Sequence, residues 1–93
     1  MARILLAEDD NSLRPYLARA LRRDGHEVIA ARDGIEALVH LGPNRFDLLL
    51  ADVVMPEIDG IELARRAERA DPNIKVMFIT GFAAVAMQSN RRH

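Results

Sequence analysis

The sequence predicts an α/β fold: a doubly wound parallel sheet of four strands in the spatial order 2-1-3-4. Three observations lead there. Four short apolar runs alternate with segments of helical spacing, which argues for parallel strands joined by crossover helices. Right-handed crossovers constrain the topology further, and with the second strand on one side of the first and the third and fourth on the other the order is 2-1-3-4. Finally, two of the runs end abruptly in acids, at Glu8, Asp9 and Asp10 and at Asp52. Both ends fall beside the crevice where the strand order reverses, the ligand-binding rim of such sheets.

The first strand is expected over residues 3–7, a continuous apolar run. Asp10, Asn11 or Ser12 can cap the helix that follows, with Ser12 favoured. That helix carries Leu13, Tyr16, Leu17, Ala20 and Leu21 on one stripe, and Pro15 falls in its first turn, where no N–H is lost. Arg22 and Arg23 suit its C-terminal end, and Gly25 stops it. Residues 27–31 form a weaker second strand. Asp33 and Gly34 make a turn before a short helix over 34–41, with Ile35, Ala37, Leu38 and Leu41 available to bury.

The run up to Asp52 reads as a strand buried on both faces. Asp59 and Gly60 turn the chain into an Ala-rich helix bearing Ile61, Leu63, Ala64 and Ala67, on which Glu62 pairs with Arg66. Residues 75–79 form the fourth strand, ending in Thr80 and Gly81. Residues 83–87 begin another helix, and a polar tail closes the sequence.

Composition narrows the function. A chain of 93 residues with 49% hydrophobic content makes one domain, residues 1–93. A net charge of −1 leaves no basic surplus, so no nucleic-acid partner is expected. The absence of cysteine excludes disulfides, thiolate zinc sites and cysteine nucleophiles. No apolar segment is long enough to span a bilayer, and no signal-peptide pattern opens the chain. A cytoplasmic protein without a membrane partner is the expectation. His26, His40 and His93 share no spacing with the acids and are expected in solvent. Met55 and Met77 are expected to pack.

Acids that converge in one crevice cannot all ionise comfortably without a cation. Glu8, Asp9 and Asp52, with a backbone carbonyl and water, suit Mg²⁺ or Mn²⁺. Mg²⁺ held by few protein ligands usually completes its shell with phosphate oxygens, so the site points to phosphoryl chemistry. One carboxylate can attack phosphorus to give an acyl phosphate. Thr80 can donate to a phosphoryl oxygen, and Gly81 leaves room beside it. An aspartyl phosphatase ranks last, because Val54 stands where its second acid would be.

Residues 4–10, then Asp52, Val53, Val54, Met55 and Pro56 with Asp59 and Gly60, then residues 78–81 resemble the receiver domain of bacterial two-component response regulators. The resemblance covers the whole chain and implies a flavodoxin-like fold. It implies Asp52 as phosphoacceptor, Asp9 as direct metal ligand, Glu8 as a ligand acting mainly through water, the Val54 carbonyl as a further ligand and Thr80 as the hydroxyl switch residue. It implies a histidine kinase or phosphotransfer protein as donor, and self-catalysed transfer in place of enzymatic turnover. Residues 57–67 and 77–86 further resemble CpdR-type single-domain regulators, which implies an adaptor role towards the ClpXP protease.

One departure from the pattern stands out. The family's fifth strand, with a Lys at its tip, and its last helix are missing from the sequence, and Lys75 lies at the wrong end of the fourth strand to substitute. Impaired switching is therefore expected, with a non-switching interaction module as the alternative function. An apolar patch around Ile4, Leu6, Leu49 and Val76 is also expected, favouring self-association.

Overall fold

A computed structural model describes residues 1–79 of the chain. Its elements run β1 (Arg3–Ala7), α1 (Leu13–Arg23), β2 (Glu27–Ala31), α2 (Gly34–Leu41), β3 (Leu48–Asp52), α3 (Gly60–Ala70) and β4 (Lys75–Ile79). The four strands are parallel and lie in the order β2-β1-β3-β4, as expected. Thr80, Gly81, the helix expected over 83–87 and His93 lie outside the described residues.

The period of two in each strand sorts the core into two layers. Ile4 and Leu6 of β1 point to one face, where they meet Ala18 of α1 and Val28 of β2. Leu5 and Ala7 point to the other, with Leu49 and Ala51 of β3, Ala37 of α2, and Leu63, Ala64 and Ala67 of α3. β1 is thus buried from both sides and carries its C-terminal tip into a fixed place. β3 is covered less evenly than expected: Leu49 and Ala51 are buried, while Leu48 and Leu50, towards α1, are half-buried.

The expected apolar patch is not where the sequence put it. Ile4, Leu6 and Leu49 are fully buried. Leu49 and Val76 belong to the α2/α3 layer, because each strand's alternation sends them away from α1. Among the described residues β4 pairs with β3 alone, and its exposed large apolar residues are Met77, at 58%, and Phe78, at 42%. Met77 therefore does not pack as expected, whereas Met55 is buried.

The helices are rotated slightly from their sequence stripes. Tyr16 is 65% exposed and the buried position of α1 is Ala18. Ile35 and Ile61 are also exposed. Each of the two follows a buried glycine, Gly34 or Gly60, at the first position of its helix. Successive side chains diverge by about 100° on a helix, so burying the glycine turns its neighbour outward.

The caps differ as well. Ser12 makes no side-chain cap bond. Asp10 does that work, its Oδ1 accepting the N–H groups of Ser12 at 2.8 Å and Leu13 at 2.7 Å. Where the chain turns into α2 and α3, Asp33 and Asp59 also cap the helices, accepting the N–H groups of Glu36 and Glu62, each at 2.8 Å. Glu62 also pairs with Arg66 at 3.0 Å, as expected.

Gly60 sits against the end of β3 so closely that a Cβ there would fall 2.2 Å from the Asp52 carbonyl oxygen. Gly60→Ala should therefore lower stability by about 1–3 kcal/mol through overpacking. Urea unfolding of the variant against the wild type reads the loss.

Candidate acidic phosphoryl site

β1 and β3 are hydrogen-bonded neighbours, with Ala7 opposite Ala51. The residues that follow that pair, Glu8 and Asp9 on one strand and Asp52 on the other, therefore emerge side by side at the same rim. One carboxylate oxygen from each of Glu8, Asp9 and Asp52 lies within 4.8 Å of the other two. The three acids singled out from the sequence meet.

Their environments differ. Asp9 is exposed and Asp52 half-buried, whereas Glu8 is 1% exposed. The Glu8 backbone extends the β1–β2 ladder, its N–H donating to the Ala31 carbonyl at 3.1 Å. Its side chain accepts the Asp10 N–H on Oε2 at 3.0 Å. Oε1 is buried and has no hydrogen-bond partner among the described residues. Burial pushes the Glu8 carboxyl from its ordinary 4.5 up to about 7, against the Asp10 N–H and with help from the neighbouring Asp52 and Asp9 carboxyls. An orphaned buried oxygen aimed among two other acids is the arrangement a hard, oxygen-loving cation satisfies.

Asp52 ends β3, and its Oδ1 accepts the Val54 N–H at 3.2 Å. The Val54 side chain is 76% exposed. The segment after Asp52 is pinned from several sides. Val53 donates to the Ile79 carbonyl at 3.1 Å, and Gly60 donates to the Val53 carbonyl at 3.0 Å. Gly34 at the start of α2 packs on Ile58, where a Cβ would lie 2.6 Å from the Ile58 carbonyl oxygen. Glu57 adopts φ +68°, a left-handed conformation that is costly for a residue with a Cβ.

Sequence reasoning missed three contributors. Arg14 reaches back from α1 to donate to the Glu8 carbonyl at 3.0 Å. Gly34 and Gly60 allow the close approaches just described. The glycines are visible as punctuation, but the contacts they permit are non-local. Among the described residues, neither His26 nor His40 joins the acids. His26 is half-buried rather than in solvent, because its Nδ1 accepts the Ala2 N–H at 3.0 Å. Two cavities border the opposite, N-terminal ends of β3 and β4, along residues such as Phe46, Asp71 and Ile74, and neither is lined by any of the three acids.

The model of the response regulator receiver domain matches residues 4–91. The response regulator receiver protein CpdR of Brucella abortus is 58% identical over 87 residues, covering 94% of this chain and 72% of that protein. The crystal structure of the receiver domain from the hybrid histidine kinase CckA superposes with a TM-score of 0.81 at 45% identity, covering 86% of this chain and 76% of that one. The response regulator TrrA of Thermotoga maritima, solved in complex with Mg²⁺-BeF, gives a TM-score of 0.78 at 32% identity, covering 84% of this chain and 68% of that one. TrrA is also solved in complex with the histidine kinase ThkA. Among the described residues no helix is long and apolar enough to cross a membrane.

The raised Glu8 value sets a pH dependence. In the unfolded chain Glu8 ionises near 4.5, whereas the folded protein keeps the proton until about 7. Between those values the native state binds more protons, so stability falls as pH rises through the window. Thermal melts in chelator should show this loss between pH 5 and pH 8. Glu8→Gln, which cannot ionise, should flatten that part of the curve and exceed the wild type at pH 8.

Proposed function

Since this chain belongs to the response regulator receiver domain family, we propose that Asp52 is its phosphoacceptor and that Glu8, Asp9, Asp52 and the Val54 carbonyl hold a Mg²⁺ ion beside it, for which Mn²⁺ can substitute. The observation that carries this reading is the meeting of three carboxylates, one of them buried with an unpartnered oxygen, at the rim where β1 and β3 end. The TrrA complex with Mg²⁺-BeF adds support, since beryllium fluoride is a tetrahedral stand-in for a phosphoryl group.

The chemistry follows from the chain's own groups. An Asp52 carboxylate oxygen attacks the phosphorus of a donor phosphohistidine. A carboxyl O–P bond forms, and the N–P bond of the donor breaks, returning its electron pair to the imidazole. Bound Mg²⁺ supplies positive charge that offsets the negative charge of the transferring group. Glu8 and Asp9 fix the position of that charge. The half-buried setting of Asp52 and its bond from Val54 hold the attacking side chain at the rim. Thr80, by the family resemblance, donates its hydroxyl to a phosphoryl oxygen of the product and so reports the modification to the rest of the fold. The protein is a signalling module, which takes one phosphoryl group per molecule and passes the change on through protein contacts.

A histidine kinase or a phosphotransfer protein is the donor, in line with the solved pairing of TrrA with ThkA. On the output side the likeness to CpdR-type regulators extends the proposal to a ClpX-type protease partner in the cytoplasm.

Incubation with acetyl phosphate and Mg²⁺ should add a single phosphoryl group by intact mass, labile to hydroxylamine. Asp52→Asn should take up none, and chelator should cut uptake by the wild type at least tenfold. A stable label on the Asn variant would remove Asp52 from the role.

A further inference from the structure

Two of the three acids follow the last residue of β1, and only the Glu8 N–H is still held by the sheet, through Ala31. The structure shows one side chain that spans the β1–α1 loop. From the first turn of α1, Arg14 donates through Nη1 to the Glu8 carbonyl at 3.0 Å and through Nη2 to Asn11 Oδ1 at 2.8 Å. Its own N–H donates to the Asp10 carbonyl at 3.0 Å. Asp10 closes the ring from the other side by capping Ser12 and Leu13. Glu8 is therefore gripped at both backbone polar groups, by Ala31 on its N–H and by Arg14 on its C=O. Asp9 is bracketed between two fixed residues.

A guanidinium beside a cation site is a paradox if charge alone matters, since it repels a metal ion. Its geometry resolves the paradox. Both N–H groups are aimed at neutral oxygens, and among the described residues Arg14 makes no ion pair with a carboxylate. We infer that Arg14 is a positioning residue, a clamp that orders residues 8–11 so that Glu8 and Asp9 face Asp52 ready to take Mg²⁺. The inference rests on the proposed reading of the acids as Mg²⁺ ligands. It goes beyond that reading by assigning loop order, and with it metal affinity, to a residue outside the proposed ligand set.

The clamp and the bare charge predict opposite signs. Loss of an outer partner that orients ligands lowers metal affinity, typically by tenfold or more. Loss of a nearby positive charge raises it. Calorimetric titration of the wild type, Arg14→Ala and Arg14→Lys with Mg²⁺ at pH 8 decides between them. The clamp predicts a Kd about tenfold higher for Arg14→Ala and an intermediate value for Arg14→Lys, which keeps the charge and one donor. Amide exchange at residues 9–11 should quicken in Arg14→Ala. Arg22→Ala is the control: Arg22 makes the same kind of bond, to the Val28 carbonyl at 2.9 Å, at the far end of α1, and its loss should leave the Kd unchanged. An unchanged or lower Kd in Arg14→Ala overturns the inference while leaving Asp52 chemistry intact. Should Arg14→Ala fail to fold, Arg14→Lys decides, with a wild-type Kd counting against the clamp. A wild type that binds no Mg²⁺ overturns the functional reading and this inference together.

Discussion

Three carboxylates crowded at the tips of two adjacent strands are the constraint on which the rest of this structure turns. Like charges at that separation repel, and one of the three is almost fully removed from water with an oxygen that bonds to nothing described. Nothing in a fold selected for stability alone favours this arrangement. The protein bears it by keeping Glu8 protonated until about pH 7 when no cation is present. A bound divalent ion would remove the same cost by pairing the charge instead. The site is in this sense unfinished as a protein structure, and the proposed metal and phosphoryl group would complete it.

Parallel topology makes the arrangement possible. Each strand enters from the same edge, so all C-terminal tips share one rim, and the order β2-β1-β3-β4 puts the tips of β1 and β3 next to each other. The two-layer core then fixes both strands. Around the rim the local devices are small: an aspartate cap on α1, a clamp from Arg14, and the bare backbones of Gly34 and Gly60 against the segment after Asp52. Glu57 in a left-handed conformation shows how tightly that segment is constrained, because a free loop would relax it.

Much of this was legible in the sequence. The apolar runs and the helical segments give the elements, and a strand order with one reversal, constrained by crossover handedness, gives the sheet. The acids announce themselves because three of them follow a buried run where solvated residues would otherwise be unremarkable. What escaped depends on distance in the chain. Which face of β3 receives Leu49, and that Ile35 and Ile61 turn outward, follow from packing against partners dozens of residues away. Ser12 looked the better cap because it stands next to the helix, yet Asp10 reaches both free N–H groups with one oxygen. His26 looked like a surface residue because nothing in the sequence places it beside the N-terminal backbone. Nothing in the sequence singles out Arg14. Only the fold reveals that its reach ends on the Glu8 carbonyl.

The central claim is that acids from two strands form a single cation site at one rim. Paramagnetic broadening by Mn²⁺ in a ¹⁵N-resolved spectrum tests it directly. The account predicts selective loss of the Glu8, Asp9, Asp52 and Val54 amide signals at sub-stoichiometric Mn²⁺, reversed by excess Mg²⁺, with Arg3, Asp47 and Lys75 at the opposite edge unaffected. Broadening centred on that opposite edge, or spread evenly over the surface acids, would contradict it.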